Sequence, residues 1–254
     1  MGVYEFTTNE LMAVTASRML EDRQNVVVGL GLPQIATLLA KSTHAPNLNI
    51  IYEIGVINPE AVDTGVGIAD PRLWYKGEYF TSFVGSLGQI LQRGLVDVGF
   101  LGGLQIDKFG NINSTLIKTD TGFRHFTGSG GAADIASFSK KIFIIIKHQK
   151  RKIIETVDFI TTVGYLNGYN SRKKEGLPMC KDIKVITNLC VFNFENEEKV
   201  LQIESIHPGV KPKDIIENTG IEISIPGNFE VTREPNDEEI YLLRNRIDPE
   251  GVYI

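Results

Sequence analysis

The chain of 254 residues has only two cysteines, one tryptophan and four histidines. Cys180 and Cys190 form no C-x-x-C pair, so neither a zinc knuckle nor a redox dithiol is indicated. A fold of this size needs no disulfide framework, and a reducing cytoplasm is the expected setting. Positive charge is not in excess. Lys plus Arg number 26 against 31 Asp plus Glu, a net charge of −5, which excludes the broad basic stripe of a nucleic-acid binder. Long apolar runs are missing too. Ile142–Ile146 falls far short of the roughly 20 residues that cross a membrane. Met1-Gly2-Val3-Tyr4-Glu5 has neither the basic nor the apolar region of a secretory leader, and Phe6 breaks the myristoylation pattern. His44, His125, His148 and His207 are scattered without paired-ligand spacing, so no metal site is predicted. Gly85-Ser86-Leu87-Gly88 does not match G-x-S-x-G, which removes support for hydrolase triad chemistry.

Glycine is plentiful, with 25 residues, and 42% of the chain is hydrophobic. That composition fits a globular fold with many tight strand-to-helix turns. Thr7-Thr8-Asn9-Glu10 reads as a capping box, and Leu11, Val14, Met19 and Leu20 predict a helix over 8–22. Val26–Val28 reads as a buried strand, Gly29-Leu30-Gly31-Leu32-Pro33 as a turn, and Gln34–Lys41 as a second helix. Leu48–Val56 reads as another buried strand, followed by a long irregular stretch over 57–78. A helical segment within Tyr79–Arg93 and a strand at Val96–Leu101 come next. Further strands are expected at Lys141–Lys147, Val157–Val163 and Asp182–Val191, the last also read as two short strands, Lys184–Ile186 and Val191–Phe194, then at Leu201–Ile206, with helices at Lys211–Asn218 and Glu238–Ile247. No linker or repeat interrupts the chain. The expectation is one α/β domain over 1–254 with a mostly parallel sheet.

Glu53 is the most informative residue. An ionised carboxylate buried in a strand costs several kcal/mol unless it is paired or functional. At the carboxyl end of a parallel strand it would face the crevice where α/β proteins bind ligands, as nucleophile or general base; the alternative is a structural ion pair. Gly29 and Gly31 give a tight turn but not a dinucleotide fingerprint, because Gln34 stands where the third glycine belongs. Gly128-Ser129-Gly130-Gly131 is a candidate anion cradle that opens a helix; it lacks a P-loop lysine. Lys147-His148-Gln149-Lys150-Arg151-Lys152 is either a solvated strand end or a contact for phosphates of a nucleotide-like ligand.

Taken in order, these segments resemble one family. They are Gly29–Pro33, Glu53-Ile54-Gly55, Asp97–Asp107 running on to Gly110-Asn111-Ile112-Asn113, Gly128–Ile135, His148, His207-Pro208-Gly209-Val210 and Asn218-Thr219-Gly220. The chain is similar to the B (β) subunit of family I CoA-transferases, of the glutaconate CoA-transferase kind, over nearly its whole length. The resemblance implies a three-layer α/β/α domain. It also implies a partner A (α) subunit in an A2B2 or larger assembly, with the active site where A and B meet. It implies acyl-CoA and carboxylate substrates, a coenzyme A thioester as substrate, and no permanently bound cofactor. Glu53 matches the family's catalytic glutamate, which carries CoA as a glutamyl thioester in ping-pong catalysis. Gly29, Gly31, Gly128, Gly130 and Gly131 are assigned to the CoA-binding or oxyanion shell. Many 3-oxoacid transferases have Ser-Glu-Asn-Gly around the nucleophile, whereas this chain has Tyr52-Glu53-Ile54-Gly55. The resemblance therefore points to a dicarboxylate or related organic acid. A CoA-ester decarboxylase or ring-opening hydrolase is the alternative activity. An inactive structural partner of an A subunit is the non-enzymatic one.

Overall fold

A capping box starts α1 (Thr8–Arg18): Glu10 N–H donates to Thr7 Oγ1 at 3.1 Å, and Thr7 N–H donates to the Glu10 carboxylate at 2.6 Å. The computed structural model describes residues 5–60, 65–67, 70–178, 180–225 and 227–254. The chain forms two units, Met1–Phe100 with Arg233–Ile254, and Leu101–Thr232.

In the first unit, α1 ends at Arg18, earlier than its periodicity predicts. Met19 is the C-cap, and Leu20 stays buried in the turn beyond, so the apolar pattern outlasts the helix. Two arginine–carboxylate pairs fasten the ends of this unit together. Arg18 grips Glu239 of the C-terminal helix Asp237–Leu242 through two bonds of 2.8 and 2.6 Å, and Arg244 grips the buried Glu10 at 2.5 and 2.9 Å. Bidentate pairs of this kind fix geometry as well as charge. The strands are β1 (Asn25–Val28), β2 (Asn49–Tyr52), β3 (Val56–Ile57), β4 (Tyr79–Phe80) and β5 (Val98–Leu101), in the order β5-β1-β2-β3-β4. β1 runs parallel to both β5 and β2, while β3 and β4 are antiparallel additions. Helix α2 (Leu32–Ser42) follows β1, with proline in its first turn. The single strand expected over 48–56 is two strands. β2 stops at Tyr52, the chain turns over 53–55, and Val56 pairs back onto Tyr52. Within 79–93 only Val84–Leu91 is helical. It is a π-helix, with Gln92 N–H reaching back to the Leu87 carbonyl at 3.1 Å.

In the second unit, β6 (Gln105–Asp107), β7 (Ile112–Asn113) and, later, β11 (Ile153–Ile154) form a small sheet in the order β11-β6-β7. β8 (Leu116–Thr119) and β9 (Gly122–His125) form a hairpin. Helix α3 (Ala132–Phe138) leads into β10 (Lys141–Ile145), and α4 (Ser171–Lys174) precedes β12 (Asp182–Ile186). β13 (Cys190–Asn193), β14 (Gln202–Ile206), α5 (Pro212–Asn218) and β15 (Glu230–Val231) follow, and the larger strands run β10-β12-β13-β14-β15. β10 and β12 are parallel, whereas β12, β13 and β14 are successively antiparallel. Of the two readings of this stretch, the pair of short strands forms and the single strand over 182–191 does not. Thr187 Oγ1 accepts the N–H groups of Leu189 and Cys190 and reverses the chain. No strand forms over 157–163, where only Thr162 makes a bridge, to Ile112. Asp158 N–H and Thr161 Oγ1 bond instead to Gln105 and Ser114.

Buried polar side chains hold this unit's loops. Arg172 gives its guanidinium protons to the carbonyls of Val163, Gly164, Pro178, Ala136 and Ser137. Asn111 bonds to Asp107, Gly164 and Leu166. Both cysteines are buried and unpaired.

His148 is 3% exposed, so the solvated reading of the 147–152 run does not hold for it. Its ring nitrogens lie 3.1 and 2.8 Å from the Thr187 and Thr219 hydroxyls. The His207 nitrogens meet Thr232 Oγ1 at 2.9 Å and the Thr187 carbonyl at 2.7 Å. Burial, then the neighbouring His207 charge, lowers His148 from 6.5 to about 4, and burial lowers His207 as well. A ring that binds its proton more weakly when folded contributes full stability above the unfolded value and loses it as pH falls. From pH 6.5 toward 4, His148 alone should cost about 1.4 kcal/mol per pH unit. Urea melts at pH 7.5 and 5.5 should show a smaller acid loss in His148→Gln than in the parent. An equal loss in both would refute the assignment.

Candidate active site

Val28 and Tyr52 are register partners on parallel strands, so Gly29 and Glu53 leave the sheet side by side. Neighbouring strands lie about 4.8 Å apart. This is the carboxyl edge of β1 and β2, where open α/β sheets bind ligands. Glu53 is half-buried and sits on the turn, not within the strand.

The turn is tightly built. Gly55 N–H donates to the Tyr52 carbonyl at 2.9 Å, and Thr81 N–H donates to the Gly55 carbonyl at 2.8 Å. Gly55 has φ +98°, and a Cβ there would lie 2.2 Å from the Thr81 carbonyl oxygen, so only glycine fits. The Ser86 hydroxyl, fully buried in the π-helix, donates to the Glu53 carbonyl at 2.6 Å and lies 3.1 Å from the Phe83 carbonyl. Bonds to the backbone on both sides of Glu53 thus hold this residue's backbone at the turn. Beneath it, Gln34 Nε2 donates to the Tyr52 hydroxyl at 3.0 Å, and burial pushes that phenol up to about 12.

Gly29 is exposed, and a Cβ there would meet nothing within 4 Å. Gly31, with φ +82°, is the N-cap of α2, and no side chain caps that helix. The first-turn N–H groups of an uncapped helix remain available to an anion. The Tyr253 ring packs near Gly31, with its hydroxyl 3.0 Å from the Gly65 carbonyl.

Gly29, Gly31 and Glu53 belong to the first unit, and Gly128, Gly130 and Gly131 to the second. There the Gly128 N–H donates to the Ser114 carbonyl, and its own carbonyl accepts from Ser114 Oγ. Gly128 and Gly130 have φ +82° and +49°, and Gly131 is the N-cap of α3. Ser129 caps that helix start through its carbonyl and hydroxyl, which accept from Ala132 and Ala133 N–H. The loop is therefore held as a backbone bend. Sequence reasoning missed Ser86 and the Gln34–Tyr52 pair. Ser86 lies 33 residues from Glu53, and only the fold joins them. Among the described residues no cluster of His, Cys, Asp or Glu is arranged to hold a metal, and no helix is long and apolar enough to cross a membrane.

Comparison with known proteins shows the family. A family model described as coenzyme A transferase matches residues 9–218. The B subunit of the 3-oxoadipate CoA-transferase of Pseudomonas knackmussii is 36% identical over 94% of this chain and 92% of its own. The B subunit of the glutaconate CoA-transferase of Acidaminococcus fermentans is 33% identical over 98% of this chain and 95% of its own. The crystal structure of that organism's glutaconate coenzyme A-transferase superposes with a TM-score of 0.92 at 30% identity, covering 100% of this chain and 99% of the matched one. The cholesterol ring-cleaving hydrolase IpdB subunit of Mycobacterium tuberculosis is 25% identical over 97% of this chain and 96% of its own. A chain of this fold, with a glutamate held at the carboxyl edge of its parallel strands and matched over most of its length by that family model, belongs to the coenzyme A transferase family.

Proposed function

We propose that this chain is the B subunit of a heteromeric CoA-transferase, and that Glu53 carries CoA between an acyl-CoA and a carboxylate. The observation that carries the reading is the Glu53 turn, which fixes a carboxylate beside an open glycine and an uncapped helix start. A Glu53 oxygen attacks the thioester carbonyl, expels CoA thiolate and leaves an acyl-glutamyl anhydride. The thiolate attacks the glutamyl carbonyl, releasing the first carboxylate and leaving a glutamyl-CoA thioester. An acceptor carboxylate repeats both exchanges in reverse. A carboxylate suits this role because it is both nucleophile and leaving group. N–H groups at Gly29, Gly31 and the start of α2 are the proposed oxyanion donors in the first unit, and within the second unit Gly130 and Gly131 are proposed to bind CoA. Such donors are commonly worth about 3 kcal/mol each. Gly128 supplies the bend. The substrate class is a dicarboxylate or related organic acid.

The partner is an A subunit of similar fold. Its proposed contact lies in the first unit, where Trp74, Tyr79, Phe80, Phe83 and Val84 are all exposed. Apolar residues concentrated in this way mark interaction surfaces. Phe80→Asp with Val84→Asp should weaken assembly with the A subunit, read by co-purification. Undiminished assembly would place the interface elsewhere.

Glu53→Ala should abolish transfer and leave assembly intact. With the A subunit present, acyl-CoA without acceptor followed by borohydride should reduce Glu53 in the parent, read as a mass change in its peptide. Consumption of the CoA ester without that change would make Glu53 a base and move the reaction to hydrolysis or decarboxylation. Ser86→Ala should lower kcat about tenfold, the scale of a small misplacement, with KM for acyl-CoA unchanged. If Ser86 were structural only, melting would shift and kcat would hold.

A further inference from the structure

The second unit contains a cavity of about 320 Å³ lined by Leu104, Ile117, Arg124, Phe126, Arg151 and Lys152. Three lining residues are cations, three are apolar, and none is an acid. Arg124 comes from β9, and its guanidinium carbon lies 5.2 Å from the Phe126 ring centre. Arg151 and Lys152 come from the basic run after β10, and Arg151 Nε donates to Gln149 Oε1 at 3.2 Å.

Among the described residues no carboxylate lies within ion-pair distance of Arg124, Arg151 or Lys152. Two acids near them in sequence are engaged elsewhere. Glu155 pairs with Lys108, and Asp158 accepts from Gln105 Nε2 and Lys118 N–H. Burial, then the charges of Arg151 and Lys147, push Lys152 below the usual lysine range. Convergent cations without a counter-charge repel one another, and an anion with several acceptor oxygens removes that repulsion. A bare phosphate would fill only a small part of this space. The volume is at the lower end of small-molecule sites, which run from about 300 Å³, and the apolar wall of Leu104, Ile117 and Phe126 suits a larger body carrying the phosphate.

We propose that this cavity binds the phosphate groups of a phosphate-bearing small molecule, with Arg124, Arg151 and Lys152 as its donors. Two sources share this chemistry: the phosphates of CoA itself, which rests on the transferase reading above, and a separate phosphorylated ligand. Arg124 and Arg151 are both exposed, so Arg124→Gln with Arg151→Gln should fold as the parent does.

The test is calorimetric titration of parent and double variant, each assembled with its A subunit, with adenosine 3′,5′-bisphosphate and with inorganic phosphate. Acyl-CoA kinetics are run alongside. The variant should bind the bisphosphate at least about tenfold more weakly, the loss expected for charge-assisted contacts. A parallel rise in KM for acyl-CoA, with kcat held, would identify CoA as the source. Weakened binding of either probe with unchanged KM would identify a separate phosphorylated ligand. Equal affinity of parent and variant for both probes would overturn the proposal, including the case where the substitutions weaken only subunit assembly. Glu53→Ala should bind the bisphosphate as the parent does, so failure of the covalent mechanism is distinguishable from failure of this site.

Discussion

The close approach of Gly55 to the Thr81 backbone decides where the chain's central carboxylate goes. A side chain at residue 55 would overlap the Thr81 carbonyl. Any larger residue would push the 81–86 segment away and release the Ser86 bond to Glu53. The left-handed φ of Gly55 also lets β2 end and β3 return within three residues. Without that reversal residue 53 would continue the strand, and its side chain would project from one face of the sheet. One glycine thus turns a buried strand position into a half-exposed carboxylate at the sheet's edge.

The second unit solves a different problem by different means. Its strands are short and joined by irregular connections, so many backbone groups lie outside ladders and still need partners. Arg172, Asn111, Thr187 and the two buried histidines supply them. Arg172 reaches the carbonyls at the end of α3, the helix opened by Gly128–Gly131. A cation at a helix C-terminus is favourable, so the glycine loop is fixed from the far end of the helix it precedes. The two histidines among these side chains trade stability in acid for definite loop geometry.

Local signals are legible in the sequence as far as their physics reaches. The capping box, the β1 turn and α2 can be read because each depends on residues a few positions apart. The break after Tyr52 cannot, because its cause is contact with Thr81, which no nearby residue reports. The apolar run 157–163 reads as a strand by composition, yet its polar groups bond across to 105 and 114. Glu53 stands out by its chemistry and its place after an apolar run. Ser86 fits no hydrolase motif and so carries no local signal, although its structural work is to hold a backbone carbonyl. The division between the units at Phe100 and Leu101 falls inside β5, so no linker composition could announce it.

The residues around the turn also bear on what Glu53 can do. A glutamyl thioester is useful to a transferase only if a carboxylate reaches it before water does. Leu30, Leu32 and Ile54 are half-buried at the same edge as Glu53. An apolar rim disfavours standing water and strengthens the hydrogen bonds that hold developing charge. Ile54 takes the place of the asparagine found in many 3-oxoacid transferases, so this rim has one polar group fewer beside the nucleophile. In the proposed mechanism, fixed donors at the Gly29–Gly31 turn and the α2 start would act most when charge has moved onto the attacked carbonyl oxygen. In that mechanism the turn, the rim and the uncapped helix would act together: one would aim the nucleophile, one keep water from it, and one receive the charge it creates.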